Sequence, residues 1–124
     1  MSYEIRQTLE AENDLLSLSC YIMDKFKNKQ AAKSFIADYR ESMVALEHFP
    51  FGFRGVSIGC GDYEIRVRPF RQYNVFFYVN KNSSQVVILR VLHGLQDWRK
   101  ILRMETEYHF AKANETEYLR GLDE

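Results

Sequence analysis

The stretch that most constrains the fold is residues 63–98, where three strand-like segments follow one another. In residues 63–68, apolar and charged side chains alternate with the period of two that places them on opposite faces of a strand. Residues 73–79 and 86–92 are nearly continuous aromatic and β-branched runs, as in strands buried on at least one face. The polar cluster 80–84 between them has hairpin length. This stretch therefore predicts an antiparallel meander of three strands.

Cationic side chains are interspersed among the apolar positions of this meander. Alternation sends Arg66 and Arg68 to the strand face opposite Ile65 and Val67. Since an unpaired charge is costly to bury, we expect the sheet to carry its cations on a face that is not packed away. That face is where function is expected, and its candidate residues are Arg66, Arg68, Arg71, Arg90 and His93.

Two amphipathic helices are predicted before the meander. Apolar residues recur at spacings of three and four over residues 11–26 and again over residues 29–48, and Asn28 fits the cap between the two helices. Pro50 ends the second helix, because proline disfavours helical geometry in the residue before it. So short a link predicts an antiparallel helical hairpin, and both apolar stripes are expected to be core.

The remaining segments complete the order of elements. Residues 3–9 alternate as a short strand, the glycine-rich residues 50–62 are predicted to form a loop, and residues 97–104 have a helical pattern. The predicted order is β-α-α-β-β-β with a short C-terminal helix. The fold class is α+β, with the helical hairpin packed on one face of a twisted, mainly antiparallel sheet. Residues 104–124 are predicted to form an acidic C-terminal helix or tail.

Length and composition limit what the chain can be. Its 124 residues suit one domain, and no apolar run approaches the roughly 20 residues that span a membrane. The first residues lack the basic and apolar segments of a signal peptide. Without an export signal, Cys20 and Cys60 are expected to be free thiols, and two cysteines cannot form a zinc site. We therefore expect a cytoplasmic protein without a metal site.

The formal net charge of zero conceals a separation of charge along the chain. Residues 1–48 carry a net charge of −2, residues 49–103 carry +6, and residues 104–124 carry −4. The strand region is thus basic between two acidic flanks. A basic face suits a polyanion or an acidic partner segment. The alternative, which charge alone leaves open, is a solvated face that the acidic flanks of the same chain neutralise.

Short motifs occur along the chain in a recognisable order and spacing. They are Asp14 and Leu15 in the first helix; Leu46, Phe49 and Pro50 at the end of the second; Tyr63, Ile65 and Arg66; Tyr73, Val75, Phe77, Tyr78 and Val79; and Val91, Leu92, His93, Gly94, Gln96, Asp97 and Trp98. Together, over residues 3–103, they resemble the RelE/ParE superfamily of toxins from bacterial toxin–antitoxin pairs.

This resemblance implies a small cytoplasmic toxin domain over residues 1–103. A cognate antitoxin encoded beside the toxin would hold it inactive, in a toxin–antitoxin hetero-oligomer, and no metal or organic cofactor would be needed. The superfamily divides by mechanism. RelE-like members cleave mRNA in the ribosomal decoding site, whereas ParE-like members poison DNA gyrase.

The RelE-like cations are mostly missing from the corresponding positions of this chain. Glu64 stands in place of the first strand lysine, and Arg66 keeps the charge of the second. Asn74 and Gln96 stand where the two arginines are expected. Because ribosome-dependent cleavage needs cations to stabilise the charge on phosphorus, their loss favours the ParE-like branch.

A nuclease of another kind remains the alternative, with His93 as acid or base and Arg66 and Arg68 as the cations. The structural alternative for the same segment is that His93 shapes a turn, Asp97 caps a helix or binds backbone, and Trp98 covers the sheet edge. Arg90 lies in an apolar strand and is expected to meet an acidic partner.

The sequence thus predicts a toxin of a type II toxin–antitoxin module that acts on DNA gyrase. The alternatives are a ribosome-dependent mRNA endonuclease and an inactive homologue that only binds an antitoxin. Outside the nuclease hypothesis, the residues predicted to bind the target or the antitoxin are Arg54, Arg71, Tyr73, Arg90, Asp97 and Trp98.

Overall fold

The computed structural model of the protein describes residues 2–107 and residue 109. In chain order its elements are β1 (Glu4–Gln7), α1 (Leu9–Phe26), α2 (Lys29–His48), a 3-10 turn (Pro50–Gly52), β2 (Gly55–Cys60), β3 (Tyr63–Phe70), β4 (Tyr73–Asn80) and β5 (Gln85–His93). A third helix, α3, follows over residues 98–107. Within these described residues, none of the helices has the length and apolar character needed to cross a membrane.

The five strands form one sheet in the order β1-β5-β4-β3-β2. β1 pairs with β5 in parallel, and the other three pairings are antiparallel. The α+β class and the mainly antiparallel sheet predicted from the sequence are therefore confirmed. The meander of residues 63–98 forms the centre of the sheet, as its long apolar runs indicated.

Local signals explain where the two long helices begin and end. The Thr8 hydroxyl caps α1 by accepting the Ala11 N–H at 3.1 Å, and it donates to the Leu89 carbonyl at 2.9 Å. The helix ends at Phe26, and the following Lys27 adopts a left-handed conformation. Asn28 then caps α2 by accepting the Gln30 N–H at 2.9 Å, as predicted. The short link produces the expected hairpin.

Both faces of the sheet are covered, each by its own apolar cluster. The face under the α1–α2 hairpin, called the hairpin face below, buries Phe70, Tyr73, Val75, Phe77, Val79, Val86, Ile88 and Val91. The opposite face, covered by α3 and called the α3 face below, buries Val56, Ile58, Cys60, Ile65, Val67, Phe76, Tyr78, Leu89 and Leu92 together with Leu102 of α3. The prediction placed helices on one face, and α3 adds a cover on the other.

The prediction of a loop over residues 50–62 is wrong for its second half, which contains the edge strand β2. Val56, Ile58 and Cys60 alternate inward and are buried on the α3 face. The flanking glycines hide this short alternation in the sequence, and the register shift between Gly55 and Gly59 interrupts the pairing with β3. Gly61 opens the turn to β3 with a positive φ of 59°, which glycine adopts without steric cost.

The predicted boundary between residues 103 and 104 lies inside α3. Residues 108 and 110–124, which make up most of the predicted acidic helix or tail, lie outside the described residues. The separation of residues 104–124 from the domain stays a prediction.

Candidate functional site

Strand register separates the predicted site residues along the sheet. His93 lies opposite Tyr73 of β4, and Tyr73 lies opposite Phe70 of β3. Arg66 lies further along β3, opposite Phe77. With about 4.8 Å between strands and about 3.3 Å per residue, the Cα atoms of His93 and Arg66 are roughly 16 Å apart. A nuclease centre built from these two residues would need a substrate that spans this distance.

His93 is held in the turn that follows β5. Its Nδ1 accepts the Leu95 N–H at 3.1 Å, and its backbone N–H donates to the Gln96 side-chain oxygen at 2.8 Å. The ring packs edge-on against Tyr73, with 5.7 Å between centroids. Because Nδ1 acts as an acceptor, the neutral ring carries its proton on Nε2. These contacts match the structural alternative, in which His93 shapes the turn.

Asp97 and Trp98 likewise have structural contacts. Asp97 stands just before α3, and its side chain accepts the Lys100 N–H at 3.5 Å, so that it caps the helix. Trp98 stacks on Phe76 of the α3 face at 5.3 Å, and the Arg99 guanidinium lies 4.5 Å from the Trp98 ring centroid. Asp97 therefore caps α3, and Trp98 attaches it to the sheet.

Arg71 lies in the tight turn between β3 and β4, at the same end of the sheet as His93. Its backbone adopts a positive φ of 53°. Its guanidinium forms an ion pair with Asp38 of α2 and lies 5.5 Å and 5.4 Å from the ring centroids of Phe35 and Phe70. The cation is therefore held at the rim of the hairpin face, partly exposed and stacked on aromatic rings.

Exposed apolar side chains surround this turn. Leu95 is 91% exposed, and Tyr21 and Phe26 at the end of α1 are both more than half exposed. The Lys25 ammonium lies 5.7 Å and 5.6 Å from the Tyr21 and Phe26 ring centroids. A cavity of about 210 Å³ opens between α1, α2 and the β3–β4 turn. The residues named here the turn-end surface are Tyr21, Lys25, Phe26, Arg71, Gln72 and Leu95, with the buried Tyr73 at the floor of the cavity.

Arg66 and Arg68 lie on the hairpin face, where they are partly buried, so the expectation of an open cationic face is wrong. Arg66 donates to the Phe53 carbonyl at 2.7 Å, and Arg68 donates to the Ser42 carbonyl at 3.0 Å. The Arg66 guanidinium lies 5.2 Å from the Phe51 ring centroid, and the Arg68 guanidinium lies 5.2 Å from that of Phe53. Both cations hold the segment after α2 against the sheet, and Arg68 also binds α2 itself through Ser42.

Arg54 is exposed in the chain that leads into β2. Its carbonyl accepts the Val67 N–H at 3.0 Å, and the following Gly55 pairs with Arg66 of β3. It is therefore near Arg66 in the fold and distant from the turn-end surface.

Arg90 meets an acidic partner inside the protein, as the sequence required. Its Nε and Nη2 donate to the Asp14 carboxylate at 2.7 Å and 2.8 Å, and Glu105 of α3 lies 3.8 Å from Nη1. The hydrogen bonds to Asp14 raise the pKa of Arg90. Asp14 also accepts the Val91 N–H at 2.9 Å. This group joins α1, β5 and α3 just beyond the point where β1 stops covering the edge of β5.

Within residues 2–107 and residue 109, no three His, Cys, Asp or Glu side chains come together as a metal site. Nor do His93, Arg66 and Arg68 converge on one point. The turn-end surface combines exposed apolar side chains with cations at one end of the sheet. Its chemistry suits binding of another macromolecule.

Residues 5–98 match the family described as the ParE toxin of type II toxin-antitoxin system, parDE. The match covers well over half of the chain. The chain belongs to this family. It is accordingly a toxin of a type II toxin–antitoxin system.

The fold of the toxin also occurs among solved structures. The crystal structure of the RelBE2 toxin-antitoxin complex from Mycobacterium tuberculosis matches with a TM-score of 0.50 and 19% sequence identity. The match covers 75% of the toxin and 99% of that chain. At this identity the likeness concerns the fold alone. A comparison with curated protein sequences gives no match.

The sequence predicts one part of the turn-end surface and leaves the other hidden. Arg71 and Tyr73 were among the predicted binding residues of the toxin. Tyr21, Phe26 and Leu95 were missed, because an exposed apolar residue on a helix or turn looks in the sequence like a core residue. The usable signal was Leu95, an isolated leucine in an otherwise polar turn.

Proposed function

We propose that this toxin inhibits growth by binding DNA gyrase, and that a cognate antitoxin neutralises it in the cytoplasm. The observation that carries the proposal is that no free set of catalytic cations stands at the RelE-like positions of the described residues. Of the four cations expected in a RelE-like centre, the sequence keeps only Arg66, and Arg66 is bound to the Phe53 carbonyl. Positioned free cations are what stabilise a phosphorane-like transition state.

The turn-end surface supports binding as the mode of action. Its exposed rings and leucine would lose contact with water on association, and aromatic residues are enriched at the centres of protein interfaces. Lys25 supplies positive charge beside these rings, and the partly exposed Arg71 lines the same cavity, which favours an acidic surface on the partner. We therefore assign the turn-end surface to the target.

The test begins with pulse labelling after the toxin is induced without its antitoxin. Early loss of thymidine incorporation, with amino-acid incorporation intact, is the expected result. Purified toxin should then inhibit supercoiling by gyrase and accumulate cleaved gyrase–DNA complexes. Early loss of translation with replication intact would instead support ribosome-dependent mRNA cleavage. No growth effect at all would identify an inactive homologue that only binds the antitoxin.

Two substitutions separate the surface from the nuclease alternative. Leu95→Asp places a charge in the turn-end surface, whereas Leu16→Asp places the same charge at an exposed leucine on the outer side of α1. We expect Leu95→Asp to abolish growth inhibition and Leu16→Asp to leave it intact, with equal melting temperatures. Equal toxicity of the two variants would refute the assignment of this surface.

The nuclease alternative depends on His93, which is also a structural residue. His93→Asn is the appropriate variant, because the asparagine oxygen can accept the Leu95 N–H as Nδ1 does, and asparagine does not titrate. We expect full toxicity from His93→Asn. Loss of toxicity with an unchanged melting temperature would favour the mRNA endonuclease.

A further inference from the structure

Helix α3 covers the α3 face through a small number of side chains. Leu102 is fully buried, Trp98 stacks on Phe76, and Ile101 packs against the same cluster. Glu105 lies one turn beyond Leu102 and is also buried, with 6% of its side chain exposed. Docking of α3 therefore places a carboxyl group inside the protein.

This carboxyl group is poorly compensated. Its Oε1 is buried and has no hydrogen-bond partner among the described residues. Its Oε2 lies 3.8 Å from Arg90 Nη1, which is beyond hydrogen-bond distance. A buried carboxylate without full hydrogen bonding costs considerably more free energy than the neutral acid.

The charges that face Glu105 do not supply the missing compensation. Arg90 of β5 is the nearby cation, and it already forms two hydrogen bonds with Asp14 of α1. Glu10, also in α1, adds a second negative charge, and its side-chain hydrogen bond with Glu105 requires a proton on one of the two acids. The Cys60 thiol of β2 faces the same group. Glu10, Asp14 and Glu105 thus surround a single arginine. The arrangement favours the uncharged form of Glu105.

We propose that α3 is a proton-dependent latch, which docks on the sheet with Glu105 as a neutral acid and loosens when Glu105 ionises. Release of α3 would expose the apolar surface of Phe76, Leu89 and Leu92 on the α3 face. The proposal concerns the toxin itself and holds whichever target it binds.

The direction of the pH dependence follows from linkage. Burial, and then the charge of Glu10, raise the pKa of Glu105 from 4.5 to about 7, while Arg90 opposes the change. The docked state therefore holds the proton more tightly than the released state, and docking weakens as pH rises. The equilibrium constant for docking of α3 should fall about tenfold between pH 6 and pH 8. Its total fall, from pH values well below 4.5 to values well above 7, is about 300-fold.

Native-state hydrogen exchange of the full chain measures this change residue by residue. Protection of the α3 amides around Leu102, corrected for the intrinsic exchange rate, should fall about tenfold from pH 6 to pH 8. Protection of the central β4 amides, such as that of Phe77, should change much less. Glu105→Gln should remove the pH dependence in α3. Glu107→Gln, at an exposed position of the same helix, should keep it.

Each other result would overturn the proposal. If α3 protection in the wild type is the same at pH 6 and pH 8, then Glu105 is ionised at both values or its ionisation does not affect docking. An unchanged pH dependence in Glu105→Gln would assign it to another group, such as His93 or His109. An equal fall in β4 would show global unfolding and no latch. If Glu105→Gln does not fold, the Glu105 carboxyl of the wild type is titrated by carbon NMR instead. A titration midpoint near 4.5 refutes the proposal.

Discussion

Among single replacements of a partly exposed charged residue in the described part, Asp14→Ala should destabilise the protein most. The substitution removes two hydrogen bonds to Arg90 and one to the Val91 N–H. Only 14% of the Asp14 side chain and 22% of the Arg90 side chain are exposed. The change therefore leaves a largely buried guanidinium and a backbone donor without their acceptor.

The size of the effect can be worked out from these contacts. Breaking a buried ion pair by removing one partner costs about 3–5 kcal/mol, and the remaining Glu105 contact at 3.8 Å is too long to replace Asp14. For a chain of this length, about 1 kcal/mol corresponds to a change of roughly 4 °C in melting temperature. Asp14→Ala should therefore lower the melting temperature by about 12–20 °C.

The assay is urea unfolding at neutral pH, with thermal unfolding as a second measurement. The midpoint should fall without a change in m-value, because the native surface stays the same. Asp38→Ala is the matched control, since its ion pair with Arg71 is about half exposed and should contribute less than about 1 kcal/mol. Asp14→Ala/Arg90→Met should recover part of the loss, because the unpaired cation is gone.

A specific result would refute this reasoning. If Asp14→Ala and Asp38→Ala lose the same free energy of unfolding, burial does not distinguish the two ion pairs. If the double variant is less stable than Asp14→Ala alone, the unpaired Arg90 charge is not the source of the loss.

Three further predictions concern the packing of the fold. Burial raises the pKa of the Cys60 thiol, so a thiol reagent at pH 8 should modify the exposed Cys20 at least tenfold faster, and comparable rates would contradict this. Gly61→Ala should cost about 1–2 kcal/mol because residue 61 has a positive φ. Gly52→Ala is the control and should be nearly neutral, because its added methyl meets open space. Similar melting temperatures for the two variants would count against the turn geometry. Leu102→Ala should cost about 2–5 kcal/mol in urea unfolding, and a loss below about 1 kcal/mol would mean that α3 is not docked as described.

The predicted elements followed directly from local patterns in the sequence. A period of two over residues 63–68 and spacings of three and four over residues 11–26 are properties of neighbouring residues, and they identified strands and helices correctly. Asn28 acts as the predicted cap because capping involves atoms only two residues apart. The motifs also carried the family resemblance, which the match over residues 5–98 confirms.

What the tertiary structure decided depends on residues far apart in the chain. Alternation showed that Arg66 and Arg68 share a strand face, but only the packing of α2 and the Phe53 segment shows that this face is covered. The acidic partner of Arg90 was required on energetic grounds, yet its identity as Asp14, 76 residues away, comes from the fold. The sequence did not reveal β2, because its glycines have weak strand propensity and the strand is held by its pairing with β3.

The candidate site divides in the same way. The sequence by itself determined which residue types are present: a single remaining cation of the four expected, a histidine beside a glycine, and an isolated leucine in a polar turn. It could not determine whether their side chains are free, because a hydrogen bond to a distant carbonyl or a stacked ring leaves no local pattern. In the structure the Arg66 and His93 side chains form hydrogen bonds with backbone groups, and the Leu95 side chain is exposed. Exposure and pairing are properties of the packed chain, and this is why the sequence identified the family while the fold identified the surface.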